Sequence, residues 1–241
     1  MSADRLPHAI LDRDSRVLKA RKIAELVRPF RELQGARLLD VGAGSGHIAH
    51  ALADVVGPKG EVHGVDILDQ RRVTDGFTFH RVDGTTLPFA TASFDVVLSN
   101  HVIEHVGTWS DQLHHLREIR RVLAPGGVCY LAVPNRWVLV EPHFKLPFLS
   151  WLPGPLRSPY VRLARRGAAY DCELPTRARL LARCAEAGLD ATELTIEATR
   201  AVARVEAPTG PLRLLLGAPE PLLRLLLPVT PTMVFALRPT A

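Results

Sequence analysis

Residues 38–47 read LLDVGAGSGH, an apolar strand that runs directly into a turn with three glycines. Glycine permits positive φ angles and lets the backbone come close to a ligand. A helix that begins at such a turn offers unpaired N–H groups at its first residues. Asp40 lies just before the turn. The pattern predicts a ligand site at the carboxyl end of a buried strand.

The carboxylate of Asp40 discriminates between two kinds of ligand. A dinucleotide would place its pyrophosphate at this turn, where an acid repels it. S-adenosylmethionine (SAM) carries an ammonium and a sulfonium group and no phosphate, so the same acid favours it. Gly46 also falls one position early for the dinucleotide fingerprint GxGxxG, in which His47 would be the third member. The turn therefore predicts SAM, and it argues against a nicotinamide dehydrogenase.

Composition indicates one α/β domain of 241 residues with a substantial core, since 47% of the residues are hydrophobic. No apolar stretch is long enough for a spanning helix, and the first residues lack the apolar core of a signal peptide. We therefore expect a cytoplasmic protein. The three cysteines and ten histidines show no metal-ligand spacing, so no metal is predicted. Without a basic-aromatic repeat, nucleic acid is not an expected partner.

Strands alternate with helices along the chain, which predicts a parallel sheet with right-handed crossovers. The expected strands are 38–41, 62–65, 77–82, 94–99, 127–133, 189–198 and 232–237, and the expected helices are 12–33, 46–55, 109–123 and 175–188. Asp40, Asp66 and Asp83 end the first three strands. Strand-ending aspartates often only cap turns. Three in register behind a glycine turn indicate a ligand site at the carboxyl edge of the sheet.

Four segments give the chain its resemblance to a known family: LLDVGAGSG (38–46), VHGVDI (62–67), RVDGTTLPFATASFDVVLSNHVIEHV (81–106) and LAPGGVCYLAVPN (123–135). The chain resembles the class I SAM-dependent methyltransferases, in particular the ubiquinone-biosynthesis-like small-molecule group. The resemblance implies a Rossmann-like α/β fold. Its mostly parallel sheet has seven strands with an antiparallel last strand, helices on both faces, and a substrate-covering insert after the fifth strand. We expect one domain over 1–241, with a SAM-binding core at 36–135 and substrate-covering segments at 134–172 and 199–230.

The resemblance also assigns roles to individual residues. Asp40 and the glycine turn would hold the methionine part of SAM, Asp66 the ribose, Ile67 the adenine face, and Asp83 with Gly84 the adenine amino end. Asn100 and His101 would lie beside the methyl group. The implied cofactor-binding residues are Asp40, Gly42, Ala43, Gly44, Gly46, Asp66, Ile67, Asp83, Gly84, Asn100 and His101.

Catalytic candidates are His101, His105 and His143. The first two are four residues apart, as on one helical face, and one of them could remove the proton of a hydroxyl acceptor. Alternatively, both are partly buried polar residues at a helix start, where Glu104 is a favourable charge. In the insert, Glu141 and His143 could contact the acceptor. Trp137, Phe144, Phe148 and Trp151 could wall an apolar pocket, or could pack the insert on the core.

The leucine-rich residues 211–227 allow two interpretations: short core helices, or a lipid-facing patch with peripheral membrane contact. The expected activity is methyl transfer from SAM to a small-molecule or lipid-like acceptor, most plausibly at oxygen, with nitrogen and carbon still open. The alternative is a non-catalytic protein of the same fold that acts as a regulator or scaffold. The intact acids and glycine turn argue against that alternative.

Overall fold

A computed structural model describes residues 12–206 and 216–240 of the chain. The strands are β1 (Arg37–Val41), β2 (Glu61–Asp66), β3 (Thr78–Arg81), β4 (Phe94–Asn100), β5 (Leu123–Pro134), β6 (Val140–Glu141), β7 (Leu146–Pro147), β8 (Leu189–Glu193) and β9 (Thr232–Pro239). The longer α-helices are α1 (Arg13–Val27), α2 (His47–Val56), α3 (Trp109–Val122), α4 (Gly154–Leu163), α5 (Arg177–Glu186) and α6 (Thr195–Val205).

Seven of the strands form one sheet in the order β3-β2-β1-β4-β5-β9-β8. The pairs among β1 to β5 are parallel, and β9 runs antiparallel to both β5 and β8. Helices α3 and α5 pack on one face of the sheet, and α1 and α2 pack on the other. The predicted fold class is confirmed, including the antiparallel last strand.

Strand register brings the predicted ligand residues to one edge. Asp40 pairs with Gly64 of β2 on one side and with Leu98 of β4 on the other. The strands then end at Val41, Asp66 and Asn100. The carboxyl ends of three adjacent parallel strands therefore meet where the chain order of the sheet reverses, which is where open α/β sheets bind ligands.

The central strand is buried on both faces, as expected for a parallel sheet covered by helices. Leu38 belongs to the apolar cluster under α1 and α2, whereas Leu39 belongs to the cluster under α3. Both side chains are at most 1% exposed. This double burial fixes β1, and with it the position of the turn that follows.

Two predicted element boundaries are wrong. The helix expected over 12–33 ends at Val27, because Pro29 has no N–H with which to continue the hydrogen-bond ladder. The strand expected over 189–198 ends at Glu193, and α6 begins at Thr195. There the hydroxyl of Thr195 accepts the N–H of Val234 at 3.1 Å, so a side chain replaces the strand carbonyl and the backbone can turn into a helix.

The insert after β5 forms a small unit of its own. Strands β6 and β7 make a two-stranded antiparallel hairpin, and α4 follows them. An apolar cluster separate from the main core lies beneath the insert, and it contains Phe144, Leu146, Leu149, Val161, Cys172 and Leu174.

Of the leucine-rich residues 211–227, those from 216 onward are described. They include a short helix, Glu220–Leu226, in which Leu223 is buried while Leu222 and Leu225 are 47% and 74% exposed. Residues 211–215 lie outside the described residues. Across residues 12–206 and 216–240, no helix combines the length and apolarity needed to cross a bilayer.

Candidate functional site

The glycine turn has the backbone geometry that favours glycine. Gly42, Gly44 and Gly46 have φ angles of 76°, 51° and 79°. A Cβ atom on Gly42 would lie 2.4 Å from Cγ2 of Val102, so the turn packs directly on the loop after β4. Ala43 is buried beside it, and its N–H donates to the carbonyl of Val65 at 3.0 Å. The turn is thus held tightly against β2 and β4, with bare backbone at the strand ends.

Asp40 is 2% exposed. Burial, together with the neighbouring Asp66 carboxylate, raises the pKa of Asp40 to about 7, and Arg16 of α1 acts in the opposite direction. The ionised form is therefore poorly compensated by the chain itself. A cation on a ligand bound at this edge would supply the missing charge.

The end of β2 offers contacts that differ from those of Asp40. Oδ2 of Asp66 accepts the N–H of Gly44 at 2.8 Å, which links β2 to the glycine turn. Ile67 is 38% exposed although it is apolar. Asp83 is exposed, and Gly84 has open space where a Cβ would lie. A polar group beside an uncovered apolar side chain and open space can accept a ribose and a flat ring.

Asn100 is the last residue of β4, and His101 follows it. The Oδ1 atom of Asn100 is buried and has no hydrogen-bond partner among the described residues. His101 has a φ of 59°, which is uncommon for a residue other than glycine, and its N–H donates to the carbonyl of Ala132 at 2.8 Å. Strained backbone of this kind is concentrated at functional sites.

The expectation that His101 and His105 share one helical face is wrong. Only Ile103–His105 forms a turn of 3₁₀ helix, and His101 precedes it in the left-handed conformation. The two rings are brought together by Glu104 instead. From the sequence alone, Glu104 is expected only as a favourable charge at a helix start.

Glu104 is fully buried, and three imidazoles surround it. Its Oε1 atom lies 3.5 Å from Nδ1 of His101, 4.0 Å from Nε2 of His105 and 3.9 Å from Nε2 of His143. Burial raises the pKa of a carboxyl, but His101 and His105 outweigh burial here, and the pKa of Glu104 is lowered. Burial also lowers the pKa of His101, which keeps that ring neutral at pH 7.

A second carboxylate orients His143. Oε1 of Glu141 lies 2.7 Å from Nδ1 of His143, and Oε2 accepts the backbone N–H groups of His143 and Phe144 at 2.8 and 2.7 Å. Burial opposes the charged imidazole, but the Glu141 hydrogen bond and the nearby carboxylates raise the pKa of His143. The structure thus brings the insert residues Glu141 and His143 to the same place as His105.

Cys172 is a member of this group that the sequence did not predict. Its Sγ lies 3.7 Å from Nδ1 of His105, and the His105 and His143 rings meet edge to face at 4.8 Å between centroids. Since 67 residues separate Cys172 from His105, no local spacing indicates the contact. Glu104 had a local signal, because it stands between two histidines within five residues.

The four aromatic residues of the insert are divided between two places, and only one of them shows the packing beneath the insert that the sequence left open as an alternative to a pocket. Phe144 is buried in the cluster beneath the insert. Trp137, Phe148 and Trp151 are 40%, 51% and 39% exposed, and they pack edge to face on one another at the surface. They separate because Phe144 follows the buried Glu141, whereas Phe148 lies at the exposed end of the hairpin.

A cavity of about 230 Å³ lies on the other side of His101. Its walls come from α1, the ends of β4 and β5, α6 and the start of β9, and none of its described lining residues belongs to the insert. Asn100 and His101 form one end, and Lys19 reaches in from α1. Burial, followed by the charges of Arg16 and Lys22, lowers the pKa of Lys19 to about 8.

These observations fit SAM at the carboxyl edge of the sheet. Arg16 only partly offsets the charge of the buried Asp40, the Oδ1 atom of Asn100 lacks a hydrogen-bond partner among the described residues, and Ile67 is uncovered. All three residues lie at the ends of strands that pair or adjoin in the sheet. A ligand with an ammonium group at one end and an aromatic ring at the other matches them in order.

Sequence comparisons support the same assignment. Residues 39–131 match the family model described as a methyltransferase domain. The ubiquinone biosynthesis O-methyltransferase of Cereibacter sphaeroides is 35% identical over 109 residues, which are 43% of this chain and 43% of that protein. The demethylmenaquinone methyltransferase of Chlorobaculum parvum is 31% identical over 166 residues, which are 67% of this chain and 65% of that protein. The chain thus spans less than two thirds of the length of either relative.

The fold agrees with solved structures. The SAM-dependent methyltransferase of Mesorhizobium loti superposes with a TM-score of 0.59 at 18% identity, over 89% of this chain and 95% of that one. Such low identity establishes the fold alone. Taken with the matched domain and the strand-end geometry, it shows that the chain belongs to the class I SAM-dependent methyltransferases.

Proposed function

We propose that this protein binds SAM at the carboxyl edge of its sheet and methylates a small-molecule acceptor, at oxygen, in the cavity beside His101. The observation that carries this proposal is the position of the cavity. Asn100 and His101 line it, and these two residues stand at the end of β4, beside the edge where Asp40 and Asp66 lie. Donor and acceptor would therefore meet at the end of β4.

In this proposal each strand end holds one part of the cofactor. Asp40 pairs with the ammonium group, the turn Gly42–Gly46 contacts the methionine chain, and Asp66 binds the ribose hydroxyls. Ile67 and the Asp83–Gly84 pair would hold the adenine. The bound cofactor supplies an activated methyl group on sulfur. The chain contributes alignment of the two reactants, which is worth roughly 7–11 kcal/mol in favourable intramolecular cases.

The cavity favours an acceptor with an acidic hydroxyl. Lys19 places a cation in largely apolar surroundings, where it would stabilise a developing oxyanion. His101 is neutral at pH 7 because burial lowers its pKa, so it can accept the hydroxyl proton. Glu104, 3.5 Å from Nδ1 of His101, would then stabilise the imidazolium. A general base of this kind contributes roughly 10²–10⁴-fold.

We propose a quinone-like acceptor, because the two relatives are named for ubiquinone biosynthesis and for demethylmenaquinone. The largely apolar lining of the cavity suits such a ring. Within a domain over 1–241 and a SAM core at 36–135, segment 199–230 would cover this acceptor, since Thr199, Val202, Leu216 and Thr230 line the cavity. Segment 134–172 would cover the site from the side of His143.

A lipid-like acceptor would also explain why Leu222 and Leu225, in the leucine-rich residues 211–227, are exposed. We propose that this segment touches a membrane surface peripherally. Flotation with anionic liposomes tests the idea. Recovery of wild type with the liposomes, and loss of that recovery in Leu222→Ser/Leu225→Ser, supports it, whereas protein that stays at the bottom of the gradient contradicts it.

The proposal is tested by blocking the cavity without touching the cofactor edge. Ala198 of α6 lines the cavity, and Ala198→Trp should abolish methyl transfer from labelled SAM to a demethylated quinone. The calorimetric Kd for SAM should stay within about threefold of wild type. Glu197→Trp, exposed on the same helix, is the matched control and should retain turnover. Equal turnover in both variants would place the acceptor elsewhere.

Two further results separate this proposal from its alternatives. A carbon-13 methyl group in the product should give the resonance of a methyl on oxygen, and a methyl on carbon or nitrogen would contradict O-methylation. No heat on titration with SAM, and no thermal shift, would favour the non-catalytic scaffold.

A further inference from the structure

Three potential metal ligands converge between the insert and the loop after β4. His105, His143 and the buried Cys172 each direct one donor atom into a common space, and these atoms all lie within 4.8 Å of one another. The three residues come from segments far apart in the chain. Their convergence therefore arises from the tertiary fold and not from local sequence spacing.

The distances suit a tetrahedral ion. With zinc–sulfur and zinc–nitrogen bonds of about 2.3 and 2.0–2.1 Å, neighbouring ligand atoms in a tetrahedron are about 3.5 Å apart. The observed separation of Cys172 Sγ and His105 Nδ1 is 3.7 Å, and all three donor atoms lie within 4.8 Å of one another. An ion would bind after side-chain movements that bring any wider separation to about 3.5 Å.

A second, independent observation points to a cation here. Glu104 is 1% exposed, and neither of its carboxylate oxygens has a hydrogen-bond partner among the described residues. Its Oε1 lies 4.0 and 3.9 Å from Nε2 of His105 and His143. A buried carboxylate is costly without a nearby positive charge. An ion bound by the two histidines would supply that charge.

The hydrogen bonds that hold His143 in place also match those found around metal-binding histidines. Glu141 holds Nδ1 of His143 at 2.7 Å, which leaves Nε2 as the nitrogen that faces the common space near Glu104. Metal-binding histidines commonly pair their other ring nitrogen with a carboxylate in this way, and the partner fixes the ring orientation. Glu141 is itself fixed by two backbone N–H groups.

We infer that His105, His143 and Cys172 bind a zinc-class divalent ion, with Glu104 as the neighbouring carboxylate that balances its charge. One thiolate and two imidazoles form a donor set for borderline to soft ions, whereas magnesium and calcium prefer oxygen donors. Cys172 would lose its thiol proton to solvent on binding. The sequence analysis predicted no metal, because none of these residues is spaced as a local motif.

The ion would fasten the insert to the catalytic loop. His105 belongs to the 3₁₀ turn after β4, His143 follows β6 in the insert, and Cys172 lies between α4 and α5 in the apolar cluster beneath the insert. One ion would therefore connect all three segments, and it would fix His143 and Glu104 next to His101. This role is independent of whether the acceptor is a quinone.

The test measures metal content with a matched pair of cysteine variants. The full-length protein is stripped with a chelator, reloaded with Zn²⁺ and desalted, and its zinc is measured by elemental analysis. Wild type should retain about one zinc per chain, and Cys172→Ala should retain almost none. Cys184→Ala removes an equally buried thiol from the main core and should retain zinc as wild type does.

Two other readouts keep the inference falsifiable if Cys172→Ala folds poorly. Co²⁺ should give a sulfur-to-metal charge-transfer band in wild type, and the band should disappear in Cys172→Ala and persist in His105→Gln at lower affinity. Zn²⁺ at about 100 times its Kd should raise the thermal midpoint of wild type by roughly 5–10 °C. SAM binding measured on the stripped protein reports separately on the proposed function.

Wild type that retains no zinc at micromolar Zn²⁺ and shows no thermal shift would overturn the inference. Equal zinc retention by Cys172→Ala and wild type would overturn it as well. A zinc-loaded protein that does not bind SAM would instead contradict the proposed function and leave the metal site standing.

Discussion

Asp40 and Glu104 are two buried carboxylates, one near the end of β1 and the other just after β4. Their surroundings shift their pKa values in opposite directions. The pKa of Asp40 is raised to about 7, because burial and Asp66 outweigh Arg16. The pKa of Glu104 is lowered although burial opposes it, because His101 and His105 outweigh burial. Asp40 lies beside another acid, and a bound ligand would supply the positive charge that it needs, whereas Glu104 is surrounded by imidazole rings of the chain. We infer that Asp40 serves cofactor binding and Glu104 serves proton handling.

Replacing Glu104 tests the inference that this acid serves proton handling, and it is expected to have the largest effect. Glu104→Gln keeps the shape of the side chain and removes the charge that would stabilise a protonated His101. We expect turnover to fall by about 100-fold or more, while the Kd for SAM changes by less than about threefold. Steady-state methyl transfer, with zinc added to both proteins, and calorimetry provide the measurements.

The control is Glu118→Gln, which alters an acid on α3 that pairs with Arg121 outside the site. It should leave turnover within about twofold of wild type. Equal losses in both variants would show that Glu104 acts only through stability.

Replacing Asp40 tests the inference that this acid serves cofactor binding. Asp40→Asn should weaken SAM binding by roughly 10–100-fold, since hydrogen bonds to charged groups are worth about 1.5–3 kcal/mol. The ligand-free variant should nevertheless be more stable at pH 8, by up to ~4 kcal/mol, because the wild-type fold must ionise a carboxyl whose pKa is raised. Calorimetry and urea unfolding measure the two effects. Asp54→Asn, an exposed acid on α2, should change neither.

The same acid gives a pH dependence with a definite sign. The folded-state pKa of Asp40 is above its ordinary value of 3.8, so this group contributes stability below about pH 4 that is lost as the pH rises to about 7. SAM affinity runs the other way, because the ionised acid binds the ammonium group. We expect the affinity to fall by up to tenfold per unit below pH 7 in wild type. Asp40→Asn should show no such fall.

The two acids also differ in how far sequence could predict their roles. Asp40 belongs to a contiguous motif in which a doubly buried strand, a glycine turn and a helix follow one another. Their arrangement depends on local geometry and on strand register, both of which the sequence encodes. The roles expected for Ile67 and Asn100, at neighbouring strand ends, rest on the family resemblance instead.

Glu104 depends on contacts that no local pattern contains. His143 reaches Glu104, and Cys172 reaches the neighbouring His105, only because the insert folds back over the loop after β4. The aromatic residues of the insert divide between a core and a surface for the same reason. The end of β8 was mispredicted on similar grounds. A hydrogen bond from β9 to Thr195, 39 residues away along the chain, decides where the strand stops.

The smallest expected effect concerns the contact that joins the two regions. Gly42 begins the glycine turn just after Asp40, and Val102 lies in the loop that carries Glu104. Gly42→Ala should lower the free energy of unfolding by ~1–3 kcal/mol, since its new Cβ would meet Val102 Cγ2 at 2.4 Å and its φ is 76°. The double variant Gly42→Ala/Val102→Ala removes the steric part and keeps the backbone cost. Urea unfolding of wild type, Gly42→Ala, Val102→Ala and the double variant gives the coupling free energy between the two residues. A coupling free energy near zero would mean that the glycine turn and the loop after β4 are positioned independently. Asp40 and Glu104 would then belong to two separate sites.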